Sequence, residues 1–407
     1  MFGRISILVR NRNVFLVILV LLSAFKLGFS VLAPASFDLQ GIVELATLGR
    51  LIGPWIVLYP PLYSGSNLAV LQSWALSTPP SMGISLRFLS LLMRLPVFMF
   101  DFGTLIVLYY IGKLLKSPVE GRIASLLWFL NPYLLFGIEL IGVPDVAATF
   151  FVMTSVMLIL YKRPRLSGIF LGVSIWIKLY PILLLPPLLL FAHQHGVSAR
   201  EKAAILGFGI IGLTGYMLWV LPYGTLYLTN YYSPVTQLLP FIGGNFSVNG
   251  AAFGLIIFYC IVVLFAKKVA SPIPTMLQTL LVFYVLSNWS FYVQYLTWAL
   301  PLMALDIAVC NRRRAILLPS ICAFSFVQWF FLSAGLVTPS GYSLLLINLT
   351  SNSTLSIAIK RFLNDQFVQI FAAPMISSAG FAAMLIYVID AAGSWFTKSS
   401  TLTNRSA

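Results

Sequence analysis

Lys178 is the only charged residue in Leu166–Ala192 (LSGIFLGVSIWIKLYPILLLPPLLLFA), a stretch of 27 residues. A charge at the centre of a bilayer costs roughly 2.5–3.5 kcal/mol on insertion scales, so an intramembrane lysine marks a function or a partner. The stretch is longer than the roughly 20 apolar residues one membrane helix needs. Pro181, just after the lysine, lacks a backbone N–H and breaks or kinks a helix. Two arrangements follow. Either one long helix holds the lysine at mid-depth, or two short helices meet at a Lys-Leu-Tyr-Pro apex on one membrane face. At such an apex the ammonium group reaches a lipid headgroup or a substrate.

The elements that must position this lysine are membrane helices. Hydrophobic residues make up 60% of the 407-residue chain and charged residues 9%, with mean hydropathy +0.96. These values exclude an ordinary soluble domain. Long apolar runs, rather than alternating strands, predict an all-α polytopic membrane protein and not a barrel. The net charge of +15 does not imply nucleic-acid binding, because the basic residues lie in small clusters between apolar segments. Cys260, Cys310 and Cys322 have no ligand spacing, and His193 and His195 share one short loop, so neither a disulfide framework nor zinc is expected; no cofactor is implied, and a need for a divalent ion is left open.

The apolar pattern predicts helices near 14–33, 87–112, 123–138, 145–161, 166–178, 180–192, 203–222, 251–266, 274–288, 292–308, 315–336 and 368–392. The first is too long for a signal-peptide core and is read as uncleaved. Arg4, Arg10 and Arg12 before it place the N-terminus in the cytoplasm. The basic residues then decide between the two arrangements of 166–192. A hairpin puts 18 of the 25 Lys and Arg residues on the cytoplasmic side, whereas a single span moves the last nine of those outside. The bias of Lys and Arg toward cytoplasmic loops favours the hairpin, with about 12 helices, Lys178 at the outer face and both termini inside.

The outer side then collects five of the ten acidic residues: Asp38, Glu44, Glu139, Asp145 and Asp365. In a chain so poor in acids, this implies a polar site at the outer interface. The first outer loop, 34–86, carries Asp38, Glu44 and Arg50, and Phe37–Leu48 has partial helical periodicity suited to lying at the interface. Gln294 and Tyr295 begin a later helix on the same side.

Several segments, in order, resemble the glycosylphosphatidylinositol mannosyltransferase I family and, more broadly, the GT-C membrane glycosyltransferases. They are FDLQGIVELATLGR (37–50), YPPL (59–62), Asp101, LNP (130–132), GVPD (142–145), IKLYP (177–181), GNFS (244–247) and QYLTWALPL (294–302). The family's Asp-x-Asp begins here with Ser36, and its His before Asn-Phe-Ser is Gly244.

The resemblance implies inverting transfer of a hexose, mannose, from a dolichyl- or other polyprenyl-phosphate donor. The acceptor would be a lipid-linked or membrane-bound glycan on the outer or lumenal face. Such a reaction needs a base for the acceptor hydroxyl and a cation near the leaving phosphate. Asp38 is the candidate base, with helix N-capping as the competing role. Lys178, Lys26 and Arg50 are the candidate donor-phosphate contacts; snorkelling or a loop salt bridge competes. Glu44, Asp145, Tyr180, Gln294 and Tyr295 are the candidate substrate contacts, with capping and an interfacial aromatic belt as alternatives. Asp101 and Arg94 share a helical face and suit a buried structural pair.

The whole chain, 1–407, reads as one membrane domain with loop 34–86 carrying the catalytic acid. Its partners would be the sugar donor, the glycan acceptor, membrane lipids and a small membrane subunit. The host membrane would be a prokaryotic plasma membrane or the endoplasmic reticulum. A secondary transporter or flippase of a glycan pathway is the alternative, because intramembrane charges and broken helices suit it too. A non-catalytic assembly subunit is a third reading.

Overall fold

The computed structural model describes residues 9–32, 86–135, 145–219, 257–262, 272–286, 296–323 and 373–396. Among these residues the chain is all-α, with no strand. The principal helices are α1 (Arg12–Leu32), α2 (Leu86–Leu115), α3 (Pro118–Phe129), α4 (Asp145–Leu160), α5 (Pro164–Ile177), α6 (Leu185–Gln194), α7 (Ala199–Trp219), α8 (Pro272–Leu286), α9 (Leu296–Leu305) and α10 (Ala373–Phe396). A 3₁₀ turn, Tyr180–Leu184, leads into α6, and a π-turn, Asp306–Cys310, extends α9.

Among the described residues most helix centres follow the apolar runs, but the run at 123–138 does not form one helix: α3 ends at Phe129, and Asn131 caps a separate turn, Pro132–Leu134. Several starts follow capping. Ser117 accepts a hydrogen bond from the Val119 N–H and Pro118 occupies the first turn, so α3 begins before its apolar stretch. Helix α7 likewise starts at Ala199, not 203. Ser198 and Glu201 form a reciprocal box in which Ser198 Oγ accepts from the Glu201 N–H and Glu201 Oε2 accepts from the Ser198 N–H.

Two helices, Leu95–Leu115 and Ala199–Leu218, are long and apolar enough to cross a membrane by length and composition; six other apolar helices span 10–17 residues. Many outward-facing side chains are large and apolar, among them Val20, Leu21, Ile211 and Ile389. Inside, small polar groups tie helices together. Ser174 donates to the Ala148 carbonyl at 2.7 Å, and Ser125 donates to the Leu105 carbonyl at 2.9 Å. Such bonds hold helices together where lipid gives no hydrophobic drive between them.

Helix α5 leaves the loop at Lys162 and ends at Lys178, whose backbone is extended (φ −149°, ψ 141°). The chain returns through α6, and the Lys162 ammonium donates to the His195 carbonyl, so both loops lie at one end. Gly196 turns the chain there at φ +75°, a conformation glycine adopts without penalty. Helix α7 then rises parallel to α5. Gly168 lies against Ile205, Gly172 against Phe208 and Gly212, and Trp176 against Gly215. Because the paired positions ascend together, the chain over 164–194 goes up and comes back, with Lys178 at the turn.

The loops opposite the apex form a connected lower end. Arg122 donates to the carbonyls of Val9 and Arg10, each at 2.7 Å, and Lys116 donates to the Val309 carbonyl at 3.1 Å. Arg312 pairs with Glu120 at 3.1 Å. Burial pushes the Glu120 carboxyl upward. The Ser117 hydroxyl, the residue's own backbone, Lys116 and Arg312 outweigh that push and hold it below its ordinary value.

Arg314 is buried beside them. It donates twice to Asp306, each at 2.8 Å, and its Nε donates to Asp390 at 2.6 Å. The Tyr387 hydroxyl donates to Asp306. This network joins the π-turn after α9 to the C-terminal part of α10.

Candidate functional site

Helix α4 begins at Asp145, α5 ends at Lys178, and α9 carries Trp298 near its start. Each of the three helices has its other end at the lower face. At a rise of about 1.5 Å per residue, the three residues therefore stand at a common height roughly 20 Å above that face. Lys178 Nζ lies 3.4 Å from Asp145 Oδ1, and Trp298 Nε1 donates to the same oxygen at 2.9 Å. Tyr180 stacks on Trp298 with ring centroids 3.9 Å apart and planes 6° from parallel. The Tyr180 hydroxyl bonds Thr149 Oγ1 at 3.0 Å. Thr149 in turn donates to the Asp145 carbonyl one helical turn back.

The Asp145 side chain is fully enclosed, whereas that of Lys178 is 21% exposed. The second carboxylate oxygen, Oδ2, has no hydrogen-bond partner within the protein. A buried oxygen of this kind costs free energy unless a water or hydroxyl donor completes it. Among the described residues the arrangement is thus a carboxylate–ammonium pair beside two stacked rings, with the lysine partly exposed.

A second pair stands beside it. Asp101 lies about 20 Å up α2 from the lower end by the same rise per residue. Its Oδ2 accepts from Lys26 Nζ at 2.6 Å and its Oδ1 from Trp128 Nε1 at 2.7 Å. The Lys26 ammonium also sits 4.2 Å from the centroid of the Phe129 ring. Both charged side chains are buried. Phe100, next to Asp101, touches Phe150 and Phe151, which follow Thr149 on α4.

Among the candidate residues, the fold therefore joins Lys178, Asp145 and Tyr180 in one cluster and gives Lys26 to Asp101 instead. Asp38, Glu44, Arg50, Gln294 and Tyr295 lie outside the described residues, as does the side chain of Arg94. Sequence reasoning passed over Trp298, Trp128 and Thr149 as individual residues. Thr149 is one helical turn beyond Asp145 and so could be placed on its face. Nothing in the local pattern ties Trp298 to a carboxylate 153 positions earlier. Among the described residues no group of three or more His, Cys, Asp or Glu could hold a metal.

The Asp145–Lys178 pair makes a direct prediction. Lys178→Met leaves the carboxylate with only the indole N–H and should destabilise the fold by about 1–3 kcal/mol, the cost of stranding a buried acceptor. Adding Asp145→Asn to that variant should recover part of the loss, because a neutral amide still accepts from Trp298. Thermal unfolding in detergent reads both. Equal stability of wild type and Lys178→Met would mean that the pair contributes nothing.

No curated protein and no solved structure matched the chain. Residues 63–243, under half of the chain, match the family described as GPI transamidase subunit PIG-U. The matched segment holds Asp101, Trp128, Asp145, Thr149, Lys178 and Tyr180, while Lys26 and Trp298 lie beyond it. This overturns the expected mannosyltransferase activity. It also removes the polyprenyl-phosphate sugar donor, the glycan acceptor and the transporter or flippase alternative. The roles of base for Asp38 and of donor-phosphate contact for Lys178, Lys26 and Arg50 belonged to that reaction. The misreading rested on short motifs, and residues that shape a fold do not by themselves fix a reaction. Over residues 63–243, the similarity is to a subunit of GPI transamidase.

Proposed function

We propose that this chain is a membrane-embedded subunit of a GPI transamidase complex, acting by assembly with other membrane subunits to attach proteins to GPI anchors. The match of residues 63–243 carries this reading. The ionic chemistry fits it. Asp101, Asp145 and Asp306 are buried and engaged with Lys26, Lys178 and Arg314, an arrangement that fixes helices. Composition supports the membrane location, since 60% of the chain is hydrophobic.

The location would be the endoplasmic reticulum membrane, as for PIG-U. The topology would be a single domain over 1–407 with about 12 membrane helices and both termini cytoplasmic. The hairpin at 164–194 supports that count. So does the gathering of Arg122, Lys162, Arg163, Arg165 and Arg200 at the end opposite Lys178, as the bias of basic residues toward the cytoplasm requires.

Depleting the chain from its host should leave a reporter protein with an uncleaved C-terminal GPI signal, while the complete glycolipid anchor persists. Wild-type chain should restore processing, and a tagged copy should co-purify with other membrane subunits. Normal reporter processing, or a shortage of the glycolipid itself, would overturn the proposal.

A further inference from the structure

The two lower loops of the hairpin carry a surplus of positive charge. Lys162, Arg163 and Arg165 stand exposed at the α4–α5 junction, Arg200 is exposed in the first turn of α7, and Lys202 beside it is half-buried. The fold draws these loops together. The Lys162 ammonium donates to the His195 carbonyl, and Arg165 acts electrostatically on Glu201. Glu201, the one carboxylate here, already accepts from the Ser198 hydroxyl at 2.7 Å and the Ser198 N–H at 3.0 Å.

Helices α5 and α7 run parallel, so both positive dipole ends open beside the arginines. At the α5 end, Arg163 makes no side-chain cap hydrogen bond. Apolar surface begins next to these charges, with Leu166 and Ile169 exposed on α5 and Leu206 and Ile210 exposed on α7. Cationic loops at the end of an apolar flank match a ligand with a phosphate at one end and hydrocarbon at the other.

We propose that these loops hold an anionic phospholipid of the surrounding leaflet, its phosphate held by Arg163, Arg165 and Arg200 and its chains along α5 and α7. This inference rests on the membrane-embedded reading above.

The test uses the full chain reconstituted into phosphatidylcholine vesicles with or without a minority of phosphatidylinositol or phosphatidylserine. The lipid retained after detergent extraction is then quantified at low ionic strength. Each basic residue near an anionic leaflet contributes about fivefold in affinity. Neutralising three, in R163Q/R165Q/R200Q, should lower retention of anionic lipid by about a hundredfold. The charge-keeping R163K/R165K/R200K should retain most of it.

Wild-type chain holding no more anionic than zwitterionic lipid, or a triple-glutamine variant holding as much as wild type, would overturn the proposal. So would thermal stabilisation by inorganic phosphate equal to that by the lipid, since it would make the site one for free anions. Failure to float with vesicles of any composition is a different result, and it would overturn the membrane reading itself.

Discussion

Gly212→Leu should abolish recovery of folded chain, while Gly207→Ala, earlier in the same helix, should be tolerated or should stabilise it. A Cβ at Gly212 would lie 2.1 Å from the Gly172 carbonyl oxygen and 2.8 Å from its Cα. Those are backbone atoms, so no rotamer relieves the contact, and α5 and α7 must part by more than 1 Å even for alanine, given ordinary van der Waals separations. Overpacking that shifts backbone costs typically 1–3 kcal/mol and sometimes more. Gly212→Ala should reach the upper end of that range, and leucine should exceed it. At Gly207 an added Cβ meets nothing within 4 Å. There alanine gains about 1 kcal/mol of helix propensity. Fluorescence-detected size exclusion and thermal melts rank the variants. The reverse ranking would mean that α5 and α7 do not pack in parallel through these glycines.

Lys26→Met should be the most damaging single change at a charged residue. It strands the buried Asp101 carboxyl, with only the Trp128 indole donating to it among the described residues. Breaking a buried pair from one side costs about 3–5 kcal/mol. Combining Lys26→Met with Asp101→Asn should return most of the loss, because the amide keeps an acceptor for Trp128 without the charge. Asp101→Asn alone should fall between the two, since Lys26 keeps its place over the Phe129 ring. A double-mutant cycle on thermal stability measures the coupling. Additive losses would place Lys26 and Asp101 outside one another's influence.

The all-α class and most of the described helix centres were legible because they depend on composition and period. Each of these is a local or additive property of the chain. Helix starts at Pro118 and Ala199 were displaced because caps, not apolar runs, set them. Pairings were another matter. Lys26 with Asp101, Trp298 with Asp145 and Arg314 with Asp306 and Asp390 depend on which helices become neighbours, and single-helix periodicity carries no such information. Asp101 and Arg94 share a face of α2, yet the described partner of Asp101 comes from α1.

The chemistry was misread for a related reason. GVPD and IKLYP supply Asp145, Lys178 and Tyr180, which contact one another and shape the helix ends. Motifs of this kind travel with an architecture. Proteins that share the architecture need not share a reaction.

The partners in one buried ion pair are also separated in time. Lys26 leaves the ribosome 75 residues before Asp101, whereas Asp306 is followed by Arg314 within 8 residues. At translation rates of about 5–20 residues per second, Lys26 waits roughly 4–15 s for its counterpart. A cationic first segment cannot settle alone in hydrocarbon over that interval without cost. The order of synthesis therefore demands that α1 stay sheltered, within the insertion machinery or beside a membrane chaperone, until α2 arrives. The ion pair that secures the finished bundle thus also sets a requirement on how the chain enters the membrane.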